Sequence, residues 1–244
     1  MYQFKNLKKF KNLVHGMSTV KDGSMNIFRN FQTPLRIRKL LKNTPFKNLK
    51  TEQIVFAEQI HGNKLKKVDR KHGGSIQLGV DGLVADQKRL LLTVKTADCL
   101  PVLFFDPKEK VIATCHAGFL GIIKEILPKT IDFLKKEFKS KPENIFVGIG
   151  PHISQKNFKL HSNWLLMARR DRNLSKFSKD DRFSLKEAAI WQLTQAGVAL
   201  KNIEVINICT FNNPRLFFSH RYKKLNPNYY KEKNGMFATF IGLK

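Results

Sequence analysis

The stretch Leu100-Pro101-Val102-Leu103-Phe104-Phe105-Asp106-Pro107-Lys108-Glu109-Lys110-Val111-Ile112-Ala113-Thr114-Cys115 reads as two buried strands joined by a turn. The apolar runs have strand length, and Asp-Pro-Lys-Glu is turn chemistry. A four-residue turn at 106–109 closes Phe105 onto Lys110 and sets an antiparallel register whose paired numbers sum to 215. Leu103 then faces Ile112, Pro101 faces Thr114, and Cys99 faces His116. Opposed residues share a sheet face with Cβ atoms about 4.5–5.5 Å apart. A one-residue slip sends them to opposite faces. The register therefore predicts Cys99 and His116 side by side, with Cys115 turned to the other face and into the core.

Cysteine and histidine are preferred zinc ligands, and a catalytic zinc takes three protein ligands with a fourth position open. A strand over 53–60 ends at His61, in Gln59-Ile60-His61-Gly62, and supplies the third candidate. The predicted metal set is His61, Cys99 and His116. Taken singly, Cys99 reads as a small buried hydrophobe and His116 as a structural histidine; their opposition across the hairpin favours ligation. Asp98 either has a catalytic role, orienting a ligand histidine or acting as an acid/base, or satisfies local backbone donors at a strand entry. Asp81, before Gly82, is open in the same way. Gly118 and Gly121 stand where strand passes into helix, serving either an anion at backbone N–H groups or a tight turn. Arg221 offers a fixed fork of donors for an anion, or is a surface arginine of a basic chain.

Outward from the hairpin, strands are expected over 13–19, 82–85, 90–94, 145–149, 203–208 and 236–241. Ile122, Ile123, Ile126, Leu127, Ile131, Leu134 and Phe138 recur at helical steps, with Pro128 kinking the helix or opening a second segment. Residues 31–50 form a basic, partly helical region. Residues 160–200 read as helical around a charged loop at 169–181, with 184–193 the clearest helix. Strands and helices mix without strict βαβ alternation. The fold class is α+β, with mixed β-sheets flanked by helices, and residues 1–244 are read as a single domain.

Hydrophobic residues make up 42% and charged residues 26%, which is ordinary for a globular chain. The N-terminus lacks a signal-peptide run and no stretch reaches membrane-spanning length, so the expectation is a cytoplasmic protein with no membrane partner. Three cysteines do not make a disulfide framework. The net charge of +26 comes from lysines scattered along the chain, without interleaved aromatics. It is read as lysine bias rather than as a nucleic-acid footprint.

The elements Asp81-Gly82-Leu83-Val84, Thr96-Ala97-Asp98-Cys99-Leu100-Pro101 and His116-Ala117-Gly118 resemble the YfiH family. Its members are also called laccase-domain or polyphenol oxidase proteins and, later, purine nucleoside phosphorylases. The likeness extends through Gln59-Ile60-His61-Gly62, Gly148-Ile149-Gly150-Pro151, Cys209-Thr210 and Phe217-Phe218-Ser219-His220-Arg221. It implies a YfiH-like fold and zinc on His61, Cys99 and His116. It also implies phosphorolysis of adenosine and inosine with inorganic phosphate, beside adenosine deamination and methylthioadenosine phosphorolysis. Gly118, Phe119 and Arg221 are then substrate or phosphate contacts. Leu120, Val20 and His152 stand where the family has arginine, arginine and cysteine. The alternatives are a peptidoglycan-precursor amide hydrolase with Cys99 as nucleophile, or a non-enzymatic anion- or nucleic-acid-binding relative with a vestigial site.

Overall fold

The computed structural model describes residues 1–28, 32–231 and 234–244. Along the chain the strands are β1 (Leu13–Met17), β2 (Ile54–Ala57), β3 (Leu65–Lys67), β4 (Ile76–Gln77), β5 (Gly82–Ala85), β6 (Leu91–Thr96) and β7 (Leu100–Asp106). There follow β8 (Val111–Ala117), β9 (Phe146–Ile149), β10 (Ser178–Lys179), β11 (Arg182–Phe183), β12 (Ile203–Val205) and β13 (Phe237–Leu243). The helices are α1 (Lys5–Lys8), α2 (Thr33–Leu40), α3 (Phe119–Ile123), α4 (Ile126–Phe138), α5 (Ser162–Arg170), α6 (Leu185–Gln195) and α7 (His220–Leu225).

Two mixed sheets carry the fold, in the orders β1-β13-β6-β2-β4 and β12-β9-β7-β8-β5-β3. Alternation assigns each strand residue to a layer. Leu92 and Val94 of β6 share a buried cluster with Leu103, Phe105 and Ile112 of the β7–β8 hairpin, so the sheets pack on each other. The opposite residues of the hairpin, Val102, Phe104, Ala113 and Cys115, cluster with Ile131 and Leu134 of α4 and Leu193 of α6. Ile37 of α2, with Leu41 and Phe46 beyond it, covers the outer face of the first sheet against Leu91 and Phe240. This is the α+β architecture of helix-flanked mixed sheets that the sequence implies.

The hairpin register differs from expectation by two residues. Asp106 pairs with Val111, Leu103 with Thr114 and Pro101 with His116, so paired numbers sum to 217. Asp106 stays in the ladder while its carboxylate accepts from the N–H groups of Lys108 and Glu109 at 2.9 and 3.2 Å, moving the turn one position on. Lys110 completes the turn with φ 55°. A slip of two preserves facing where a slip of one would reverse it. Cys99 is thus diagonal to His116 rather than opposite, on the same face.

Other boundaries move for local reasons. The strand expected to reach Ile60 stops at Ala57, because Gln59 takes φ 73° and leaves the sheet. The strand expected over 203–208 ends at Val205. The helical pattern after His116 splits at Glu125 (φ 60°), and Pro128 falls in the first turn of α4, where its missing N–H costs nothing. Ser184 caps α6 by accepting from the N–H of Glu187. Phe31, the first residue of the expected basic region, lies outside the described residues.

Candidate metal centre

His61, Cys99 and His116 reach one point from three different segments. Their ligand atoms lie within 4.8 Å of one another, close to the span of one ion held by bonds of about 2.0–2.3 Å. His116 projects from β8 and is almost fully buried. Cys99 sits just ahead of β7, after Asp98, which is held at φ 100°. His61 is exposed in the loop after β2, with φ 60°. The rings of His61 and His116 meet edge to face at 4.7 Å.

Asp81 organises this centre. Its Oδ1 lies 2.8 Å from His116 Nδ1 and accepts from the His61 N–H at 3.0 Å. Its Oδ2 accepts from the N–H groups of Ile60 and Gly62 at 3.2 and 2.7 Å. One buried carboxylate therefore shapes the His61 loop and leaves Nε2 of His116 to face the cluster. Burial raises the Asp81 pKa, but His116 and these N–H donors outweigh it and hold the carboxyl below its usual range. Burial likewise raises the Cys99 thiol, and the neighbouring His116 and His61 more than reverse that. His116 moves the opposite way, raised by Cys99 and Asp81 against its own burial.

The donor set fits a metal. A lowered thiol, an imidazole oriented by a carboxylate and a second imidazole are the ligands and support that zinc sites use. The backbone is shaped around them: a Cβ on Gly118 would lie 2.9 Å from Cys99 Sγ and 3.1 Å from His61 Cδ2. Gly118 is explained by that close approach. The helix it precedes, α3, is only five residues long.

The cluster lies in the wall of a cavity of about 860 Å³. Phe119, Phe158 and Trp164 line it, with Phe119 stacked on Trp164 at 4.9 Å. Arg221 lines it too, donating from Nη2 to the Lys159 carbonyl at 2.9 Å, with its guanidinium 5.8 Å from the Phe158 ring centre.

Asp98 also borders the cavity, but it orients neither histidine. Its carboxylate accepts from the Thr210 hydroxyl at 2.6 Å and from the Arg221 N–H at 2.7 Å, tying the Cys99 segment to α7. The expected alternative of local donors is corrected as well, since both partners are distant in sequence. His152 joins no metal cluster: it is buried, bonds the Gly150 carbonyl through Nδ1, and is pushed down to about 4 by burial. Leu120 packs against the helix-covered core. Cys115 is core, 3.0 Å from the Thr130 hydroxyl, its thiol pushed up to about 12 by burial. Sequence reading missed Trp164, Phe158 and Lys95. Lys95 had a signal, a lysine closing the apolar run of β6; the two aromatics had none beyond helix and loop composition.

Residues 13–244 match the family model described as multi-copper polyphenol oxidoreductase laccase. The chain is 27% identical to the purine nucleoside phosphorylase YlmD of Bacillus subtilis, over 96% of this chain and 90% of that protein. It is 30% identical to a purine nucleoside phosphorylase of Campylobacter jejuni, over 86% and 87%. Among solved structures, the Bacillus licheniformis hypothetical protein YfiH superposes with a TM-score of 0.83 at 26% identity, covering 97% of this chain and 95% of that one. YlmD from Geobacillus stearothermophilus gives 0.81 at 25% identity, covering 99% and 94%. A motif set that spans the sequence, a shared fold and a match over nearly the whole chain place this protein in the laccase-like YfiH family.

Proposed function

We propose that this protein is a zinc-dependent purine nucleoside phosphorylase acting on adenosine and inosine, with adenosine deamination and methylthioadenosine phosphorolysis as companion activities. The observation that carries this reading is the His61–Cys99–His116 cluster facing a cavity that also holds stacked aromatic rings. The names of the curated relatives support it.

In phosphorolysis an oxygen of inorganic phosphate bonds to the ribose C1′ while the glycosidic bond breaks, and the purine leaves with a proton. Phe119, Phe158 and Trp164 offer apolar faces for the base. Arg221 offers donors to an anion. His61, Cys99 and His116 would hold the metal, and Asp81 fixes the His116 ring. Zinc supplies Lewis-acid polarisation when bound.

The ligand count speaks against multi-copper oxidation. Multi-copper oxidation requires several copper sites, and among the described residues one cluster of three or more His, Cys, Asp or Glu ligands is present. We read residues 1–244 as one domain working in the cytoplasm. No described helix is long and apolar enough to cross a membrane, and the three cysteines are unpaired.

Metal analysis of the purified protein, with a phosphate-dependent assay on adenosine and inosine, tests the proposal. One zinc per chain and release of free base dependent on phosphate are expected. Cys99→Ser should remove most of both; full zinc retention with full activity overturns the assignment. Absence of phosphorolysis together with cleavage of a peptidoglycan-precursor amide that survives complete chelation would instead favour the amide-hydrolase reading, in which Cys99 acts as a nucleophile without metal.

A further inference from the structure

Lys95 lines the same cavity, and among the described residues no acid forms an ion pair with it. It lies near the end of β6, where every strand residue is buried, and is itself 2% exposed. An ammonium carries three N–H donors. Here Nζ donates to the Ala57 carbonyl at 2.8 Å and sits 5.1 Å from the ring centre of Phe28. The carboxylate of Glu58 borders the cavity and acts on Lys95 through its charge, but its Oε2 is engaged by the Gly79 N–H at 2.6 Å.

A buried ammonium held by one carbonyl, two aromatic rings and a distant carboxylate charge is costly, and perturbed groups of this kind cluster at functional sites. Burial draws the Lys95 amine down to about 8, against the raising effect of Glu58, so it is still mainly a cation at neutral pH. The backbone around it is held firmly. Gln59 bonds both the N–H and the carbonyl of Lys95, at 2.8 and 2.5 Å. A fixed cation with spare donors, in a cavity that Arg221 also lines, matches a multi-oxygen anion better than a monovalent ion.

We propose that the Lys95 ammonium is the anion anchor of this cavity, its remaining donors taking phosphoryl oxygens of inorganic phosphate or of a phosphorylated substrate. Identifying that anion with the phosphate of phosphorolysis rests on the function proposed above; the anchor itself does not. Leu120, turned to the core, leaves the cavity without a cation from α3, and Lys95 fills that electrostatic role from the other sheet.

The test compares wild-type protein and Lys95→Met, which keeps the length of the buried stem, both loaded with metal. Lys95→Met is expected to retain its metal and to melt close to wild type in phosphate-free buffer, because the lost hydrogen bond to the Ala57 carbonyl is offset by removing a desolvated charge. Inorganic phosphate should raise the melting temperature of wild type and not of the variant. In the phosphorolysis assay the phosphate KM should rise about tenfold or more, the loss of a charge-assisted hydrogen bond, with the nucleoside KM nearly unchanged. A nucleoside monophosphate replaces phosphate in a second arm; stabilisation by it alone, lost in the variant, assigns the anchor to a phosphorylated substrate. If phosphorolysis is absent but either ligand stabilises only wild type, the anchor stands and the proposed function fails. Equal stabilisation of both proteins, stabilisation of neither, or a variant that loses metal and stability together overturns the anchor.

Discussion

Asp81 shows how one buried side chain fixes the chemistry of two others. Its carboxylate accepts from three successive N–H groups at Ile60, His61 and Gly62 while engaging His116 Nδ1. Asp81→Asn keeps the shape but replaces acceptor oxygen with an N–H₂ group that faces donors. Metal affinity should fall by about 10–100-fold, as for other partners of a ligand histidine, measured by competition with a chromogenic chelator; unchanged affinity would show that His116 needs no support. His15 and His152 are a second residue-scale case, both buried and both pushed from 6.5 down to about 4 by desolvation. His15 Nε2 accepts the Phe4 N–H at 2.9 Å, which requires the neutral ring. The unfolded chain takes up these protons below about pH 6.5 and the folded chain does not. Stability is therefore full above that pH and falls as pH drops from 6.5 towards 4, by on the order of 3 kcal/mol for each histidine. Urea midpoints at pH 7 and pH 5 should show this loss, and His15→Gln should flatten it; a pH-independent midpoint would contradict both assignments.

At the scale of elements, the β7–β8 hairpin and the helix after it put His116 and Gly118 at one end of the sheet. α4 stops at Lys139, held at φ 59° as the C-cap, a conformation that suits glycine. The Lys139 N–H reaches the carbonyls of Leu134 and Lys135, and the Ser140 N–H also bonds Leu134, so the chain is fixed there by backbone alone. Lys139→Gly should stabilise the protein by about 1 kcal/mol, the cost of a side chain in the left-handed region. A raised denaturation midpoint at constant m-value is the expected reading, and a lowered one would mean that the lysine side chain contributes more than the strain it carries. The hairpin was legible in sequence because alternation and turn residues are local signals. Its register was off by two because the Asp106 carboxylate builds the turn, a side-chain choice that strand propensity does not encode.

Across the whole molecule, the cluster joins the two sheets. His61 follows β2 of the first sheet, Cys99 lies in the connection from β6 of the first sheet to β7 of the second, and His116 is in β8 of the second. An ion bound only by the folded arrangement stabilises it by mass action. Removing the metal with a chelator should lower the melting temperature of wild type and leave Cys99→Ser almost unaffected; equal melting of both proteins before and after chelation would separate the cluster from the stability of the fold. The alternation of Leu100 to Phe105 and Val111 to Cys115, the helical spacing from Ile122 to Phe138 and the identities of His61, Cys99 and His116 were set by the sequence alone, because period and ligand chemistry are properties of neighbouring residues. Only the tertiary structure decided that Asp81 rather than Asp98 supports His116, that Asp98 ties the Cys99 segment to α7, and that Lys95 borders the cavity with its ammonium on the Ala57 carbonyl. Those outcomes depend on which distant donors and acceptors are brought within 3 Å, and closing the chain on itself is what selects them.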